Sequence, residues 1–420
     1  MTLQIKQRIE QIRRGEVPEG YKKTKVGIVP NEWSEESLGK YLQEYKELSN
    51  DIENYPVYSS SRQGLIPQSQ YYDNREAVET NLGYKIVPNG YVTYRHMSDD
   101  DIFHFNMNKT GGEVLVSSEY PVFTSTKKGD LGYLIPMLNG TARFRYFCRT
   151  QKMGGTRTRL YYKNLCTYKT AFASLPEQQK IAEILSEQDK LIALKEKLIE
   201  EKKRQKKALM QQLLTGKKRL PGFGGEWSSV LFKECITEVD DRSTESNQHP
   251  ILSVTKGGIV YQADHFNKQI ASDNNIGYKI IKRNQLAFSI LNLWMGSVDV
   301  LTLCDLGIVS PAYKVFECVE KNLIPSFAKY FLRSYNVIWL YNINSETGAS
   351  VVRKNLDLAA LLNEKLEIPP IDEQGAIAKV LSTADAEIEL LQKDLDQEKQ
   401  KKKALMQLLL TGIVRVEVNE

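Results

Sequence analysis

Residues 177–216 read EQQKIAEILSEQDKLIALKEKLIEEKKRQKKALMQQLLTG, and residues 373–412 read EQGAIAKVLSTADAEIELLQKDLDQEKQKKKALMQLLLTG. Laid against each other at a constant offset of 196 with no gap, 21 of the 40 positions are identical. Glu177-Gln178 faces Glu373-Gln374, Ile181-Ala182 faces Ile377-Ala378, and Leu185-Ser186 faces Leu381-Ser382. Self-similarity of this kind marks an internal duplication, so the chain is two diverged copies of one unit.

Each segment reads as one long helix. Lys, Glu, Gln, Leu and Ala dominate, and Gly375 is the only helix breaker before the closing glycines. Pro176 and Pro369-Pro370 precede the helices, and Gly216 and Gly412 stand where C-terminal caps belong. About 38 helical residues would span roughly 57 Å. Leu191, Leu194 and Leu198, and Ile388, Leu391 and Leu395, follow 3,4 spacing, which predicts that the two helices pair as a short antiparallel coiled coil along these residues. The middles, EEKKRQKK at 200–207 and DQEKQKKK at 396–403, are too polar for a dry seam, whereas the ALMQQLL and ALMQLLL ends can dock on globular parts.

Working outward, the regions before the helices match more weakly, at an offset of 194. Glu32-Trp33-Ser34 falls on Glu226-Trp227-Ser228, Pro56 on Pro250, Gly64 on Gly258, and NLGYKI at 81–86 on NIGYKI at 275–280. Short runs of β-branched and aromatic residues lie between Gly, Asn, Asp and Pro, from Tyr55 to Ser59, Tyr91 to Tyr94 and Val114 to Ser117 in the first half. Ile251 to Val254, Gln285 to Leu291 and Val298 to Leu303 repeat the pattern in the second, with a helical stretch at 324–341. The expectation is α+β, with two similar globular domains joined by two long antiparallel helices. Its limits are an N-terminal segment at 1–30, globular domains at 31–175 and 217–369, a central helix at 176–216 and a C-terminal helix at 370–420. Helices kept alike while globular parts drift suggest a shared frame carrying modules of different specificity.

At 420 residues, with 26% charged and 41% hydrophobic residues, the chain can bury more than one core. No stretch approaches the roughly 18 apolar residues of a membrane span, and the N-terminus lacks a signal-peptide core, so no membrane partner and a cytoplasmic location are expected. Five cysteines without a C-x-x-C pair suggest free, buried thiols rather than a disulfide frame or zinc ribbon.

Net charge is only +5, so its distribution matters more. Residues 131–176 contain no Asp or Glu, while Arg143, Arg145, Arg149, Arg157 and Arg159 interleave with aromatic residues. Arginine's planar fork grips phosphate or reads guanine, which makes this stretch a candidate DNA contact. SSSRQG at 59–64 and SVTKGG at 253–258 place Arg62 and Lys256 in small-residue loops that permit close backbone approach. Lys127 and Lys128, Arg353 and Lys354, and Asn292 within LNLWMGS, which could read adenine, complete the candidates. No phosphate loop, dinucleotide fingerprint, zinc-protease motif or aminomethyltransferase signature occurs, and the four histidines pair with no nucleophile. A catalytic residue or metal ligand is therefore not assigned, and a non-enzymatic DNA-binding chain is expected.

The whole chain resembles the specificity subunit of Type I restriction-modification systems. The resemblance rests on IVPNEW at 28–33 and GFGGEW at 222–227, on LPEQQKIAEIL and IPPIDEQGAIAKVL leading into the helices, and on KALMQQLLTGKKR and KALMQLLLTGIVR leading out, the second departing at Ile413. It implies two target-recognition domains that read a bipartite, asymmetric site on double-stranded DNA, and helices that fix the spacing. It also implies two modification (methyltransferase) subunits using S-adenosylmethionine and restriction subunits using ATP and Mg, so that this chain binds no cofactor itself. A coiled-coil adaptor without DNA readout, and a nucleic-acid-modifying enzyme with an unrecognised site, stand as alternatives.

Overall fold

The computed structural model describes residues 3–71, 83–152, 154, 156–265, 274–347 and 354–418. The chain forms two compact units, one of Met1–Glu196 with Asp394–Glu420 and the other of Lys197–Lys393. The long helices are Leu175–Leu213 and Ile371–Leu410, so each unit contains the start of one and the end of the other.

The first unit is built on a four-stranded antiparallel sheet in the order Asn106–Met107, Val92–Thr93, Val122–Ser125, Leu42–Tyr45. The second unit repeats it as Val298–Val300, Leu286–Ser289, Tyr313–Cys318, Ile236–Val239. Each unit then adds a pair of helices, Leu131–Gly140 with Ala142–Thr150, and Pro325–Phe331 with Tyr335–Ile343. In the first core Phe105, Phe123, Tyr133 and Phe144 surround Ile181 and Leu185 from one long helix and Leu409 and Leu410 from the other. In the second, Phe288, Phe316, Phe327 and Tyr341 receive Ile377 and Leu381 together with Leu213 and Leu214. The apolar helix ends thus dock on the globular cores, and burying several leucine-sized side chains at each end, about 1.5–3 kcal/mol apiece, fixes the helices to the sheets. The run expected as a strand from Tyr55 pairs as a hairpin only from Tyr58, since Pro56 lacks the N–H a ladder needs.

The helices are antiparallel within each unit. In the first, Lys195 Nζ lies 2.5 Å from Asp394, Gln188 donates to Glu398 at 2.6 Å, and Lys402 pairs with Asp189. In the second, Lys202 lies 2.5 Å from Glu387 and Lys206 pairs with Asp385. The seam corrects the expectation for one helix. Ile388, Leu391 and Leu395 are turned inward, but Leu191, Leu194 and Leu198 are exposed, Leu194 by 66%. The covered positions of the first helix are Gln188, Ile192, Lys195 and Ile199, at the offset of 196 from Ala384, Ile388, Leu391 and Leu395. Polar Gln188 and Lys195 occupy the seam because acids of the facing helix satisfy them, which an apolar 3,4 pattern cannot reveal.

The duplicated motif residues build two equivalent junctions. Gln178 donates to the carbonyls of Ala173 and Lys128 and accepts from the Asp130 N–H at 3.0 Å. Gln374 likewise donates to the carbonyls of Pro369 and Asn322 and accepts from the Ile324 N–H at 3.0 Å. Buried Glu177 takes a two-pronged bond from Arg415 and a third from Trp33 Nε1 at 3.0 Å, while buried Glu373 takes its pair from Arg219, whose guanidinium lies over Trp227. Gly216 and Gly412, at φ +68° and +72°, turn the chain so that each arginine reaches its glutamate three residues later. Of the cysteines only Cys148 and Cys235 are buried; Cys166, Cys304 and Cys318 are partly covered, and all five are free. No helix among the described residues is long and apolar enough to cross a membrane.

Candidate nucleic-acid interface

The two units carry β-hairpins with the same tip at equivalent places. In the first, Tyr58–Ser61 pairs with Gly64–Pro67 around Arg62-Gln63; in the second, Leu252–Thr255 pairs with Gly258–Tyr261 around Lys256-Gly257. Ser61 Oγ donates to the Gly64 carbonyl and accepts from the Gln63 N–H, and Thr255 Oγ1 does the same with Gly258 and Gly257. Gly64 and Gly258 sit at φ +122° and +119°, and a Cβ on Gly258 would collide with the Asp299 carboxylate. Arg62 and Lys256 are therefore held at matched tips.

In the first unit Arg62 lines a cleft of about 300 Å³ with Arg95, Asp99 and His104. Arg62 bonds Asp100 at 2.6 Å and Arg157 bonds Asp99 at 2.8 Å. Arg159 follows on the short strand Thr158–Arg159, facing Met97. Arg143, Arg145 and Arg149 project from Ala142–Thr150, whose Phe144 and Cys148 are buried, and make no ion pair among the described residues. Burial holds the His104 imidazole below the ordinary histidine value, with Arg62 and Arg145 adding to the effect and Asp100 opposing it. Arg143 instead lies toward Gly27. Lys127 and Lys128 are exposed in the turn after Val122–Ser125, where the Lys128 carbonyl helps anchor Gln178, and so border the helix junction rather than the cleft. Arg95 and His104 escaped the sequence reading, for only the fold brings them beside Arg62.

His96, next to that cleft, is 3% exposed, stacks on Tyr161 and lies 3.6 Å from Glu119. Burial holds its imidazole below the ordinary histidine value, with Glu119 opposing. A depressed histidine contributes stability above its unfolded value near 6.5 and loses it as pH falls, because the unfolded chain accepts the proton more readily. The unfolding midpoint is expected to fall less steeply between about pH 7 and about pH 5.5 in His96→Phe than in the wild type. Parallel pH profiles in thermal melts would contradict this.

In the second unit the Lys256 carbonyl accepts from Arg333 at 2.5 Å, and Asp299 accepts from the Ile259 and Val300 N–H groups. Burial pushes the Asp299 carboxyl up. Asn292 begins the short turn Leu293–Met295, and Lys354 lies 5.1 Å from the Trp294 ring centroid while donating to Asn342. Lys354 and Asn292 thus share one patch through Trp294. Arg353 lies outside the described residues.

Residues 37–204 and 306–399 match the family described as Type I restriction modification DNA specificity domain. The chain is 24% identical to the type I restriction enzyme MjaVIII specificity subunit of Methanocaldococcus jannaschii, over 92% of this chain and 94% of that protein. Its fold is similar to the S subunit of a Type I restriction-modification system from M. genitalium, with a TM-score of 0.51 at 11% identity, covering 90% of this chain and 96% of that one. A chain from a structural study of assembly and conformational transition in the type I R-M system gives 0.55 at 15% identity, covering 92% and 99%.

Proposed function

Since the chain belongs to the family of Type I restriction-modification DNA specificity domains, we propose that it is the DNA-reading subunit of a methyltransferase and restriction complex, its two units reading the two halves of a bipartite, asymmetric site. The observation that carries this reading is one frame built twice around unlike faces. Ala142–Thr150 exposes Arg143, Arg145, Tyr146 and Arg149, whereas Tyr335–Ile343, in the same place in the second unit, exposes Tyr335, Asn336, Trp339, Asn342 and Ile343 and no arginine. Unlike faces on like frames suit unlike half-sites.

In this reading residues 31–175 and 217–369 are the target-recognition domains, and the helices at 176–216 and 370–420 set the spacing. Arg62, Arg143, Arg145, Arg149, Arg157 and Arg159 approach one half-site, with Lys127 and Lys128 at its margin; Lys256, Asn292, Arg353 and Lys354 approach the other. Phosphate contacts set affinity and register, and the hairpin tips are where a side chain can enter a groove. Exposed Leu191 and Leu194 offer an apolar strip to a helix of a modification subunit. Methyl transfer with S-adenosylmethionine and ATP-driven, Mg-dependent restriction belong to the partner subunits, and this chain contributes binding and orientation.

The test is methylation of a mixed DNA library by the chain co-expressed with its modification subunit, read as the positions of modified adenine. A split, asymmetric motif is expected, and exchanging residues 34–175 for those of another specificity subunit is expected to change only one half of it. Methylation that does not depend on this chain would refute the reading.

A further inference from the structure

Two arginines of the first unit, Arg62 in the lining of the cleft and Arg157, are already paired, and their partners are consecutive residues of one turn. Asp100 holds Arg62 at 2.6 Å, across from the hairpin tip, and Asp99 holds Arg157 at 2.8 Å. The second pairing follows from strand register. Met97 faces Arg159 and Ser98 faces Thr158, so one step further brings Asp99 opposite Arg157. Asp101, at φ +62°, accepts a hydrogen bond from Thr158 Oγ1, and Ser98 Oγ donates to Asp100 and accepts from the Ile102 N–H. The turn is therefore fastened to the strand that follows Arg157.

All four paired side chains are exposed, Arg62 and Arg157 by 61% and 51%, Asp100 and Asp99 by 41% and 66%. Ion pairs so open to water add little to stability. What they do is place carboxylate oxygens where an incoming phosphate would sit, since carboxylate and phosphate compete for the same guanidinium fork. At the offset of 194 the equivalent stretch of the second unit, residues 292–296, reads NLWMG, without a carboxylate.

We propose that the turn Ser98–Ile102 is a built-in competitor for DNA phosphate, which occupies Arg62 and Arg157 in the free chain and is displaced only when a duplex fits the cleft. The proposal rests on the reading of the first unit as a DNA-binding module and adds to it a cause of discrimination. A duplex that fits poorly must give up the gain from two phosphate contacts, because the carboxylates keep the arginines; a duplex that fits well exchanges them.

The experiment compares the full wild-type chain with Asp99→Asn/Asp100→Asn on a fluorescent mixed-sequence DNA duplex across a salt series. Asparagine keeps an acceptor at each position and removes the charge. The double variant is expected to bind roughly tenfold more tightly at low salt, with a salt slope steeper by about 1.8. Asp99→Asn alone, which leaves the Ser98–Asp100 bond untouched, is expected to give about half that steepening and serves if the double variant does not fold. Unchanged or weaker binding by variants that melt like the wild type would overturn the proposal; weaker binding would point to carboxylates that contact base amino groups. A wild-type chain that binds no duplex at any salt would instead overturn the DNA-binding reading itself.

Discussion

Alanine at Arg143, Arg145 and Arg149 together is expected to weaken binding of a mixed-sequence duplex about a hundredfold at low salt, and to flatten the salt dependence by about 2.7 in log K per log salt. Each arginine that neutralises a phosphate releases a little under one counterion, so three lost contacts lower the slope by that amount. The fold tolerates the change for stated reasons. The buried residues of Ala142–Thr150 are Phe144 and Cys148, the arginines are exposed, and none has an acidic partner among the described residues whose charge would be stranded. Alanine is also the better helix former. Isotherms at several salt concentrations, with a melting curve for each protein, check the prediction. An unaltered slope in a folded triple variant would remove this helix from the interface.

The same helix shows where sequence reading reaches its limit. Arg143, Phe144, Arg145 and Tyr146 alternate with the period of a strand, yet the segment is helical because Phe144 and Cys148, four residues apart, are the pair that the core buries. The long helices were legible, since 40 residues without an internal proline, repeated at a fixed offset, admit little else. Their mutual face was legible for Ile388, Leu391 and Leu395 and misleading for Leu191, Leu194 and Leu198. There, satisfied polar residues hold the seam and the leucines are left to solvent. The hairpin tips at Arg62 and Lys256 could be found because small residues and a glycine announce a close approach. Arg95, His104, Asp99 and Asp100 could not, because only the fold sets the segment 95–104 beside the Arg62 hairpin, and only the ladder between Met97–Ser98 and Thr158–Arg159, about 60 residues apart in the chain, brings Asp99 opposite Arg157. A run of aspartates reads in sequence as a solvated loop until the arginines opposite it are known.

Arg415→Met is expected to lower the unfolding midpoint of the first unit by roughly 6 to 12 °C, from a loss of about 3 kcal/mol at 2–4 °C for each kcal/mol in a unit of this size. The Glu177 side chain is 2% exposed, and its carboxylate is met by Arg415 at 2.6 and 3.0 Å and by Trp33 Nε1 at 3.0 Å. Removing the guanidinium leaves a buried carboxylate with a single neutral donor, and that stranded charge, rather than the net worth of the pair, dominates the cost. Glu177→Gln added to Arg415→Met is therefore expected to recover most of the lost midpoint, because an amide can keep the Trp33 bond without a charge to desolvate. The second motif copy departs at Ile413, two residues before this arginine. Its backbone carbonyl accepts from Arg8 and Tyr21, bonds that do not depend on the side chain, while Arg415, like Arg219 in the first copy, reaches the buried glutamate. Melting curves for the single and double variants decide the matter. A double variant no more stable than Arg415→Met would mean that the arginine acts by packing and not by neutralising Glu177, and the duplicated glutamate and arginine would need another explanation.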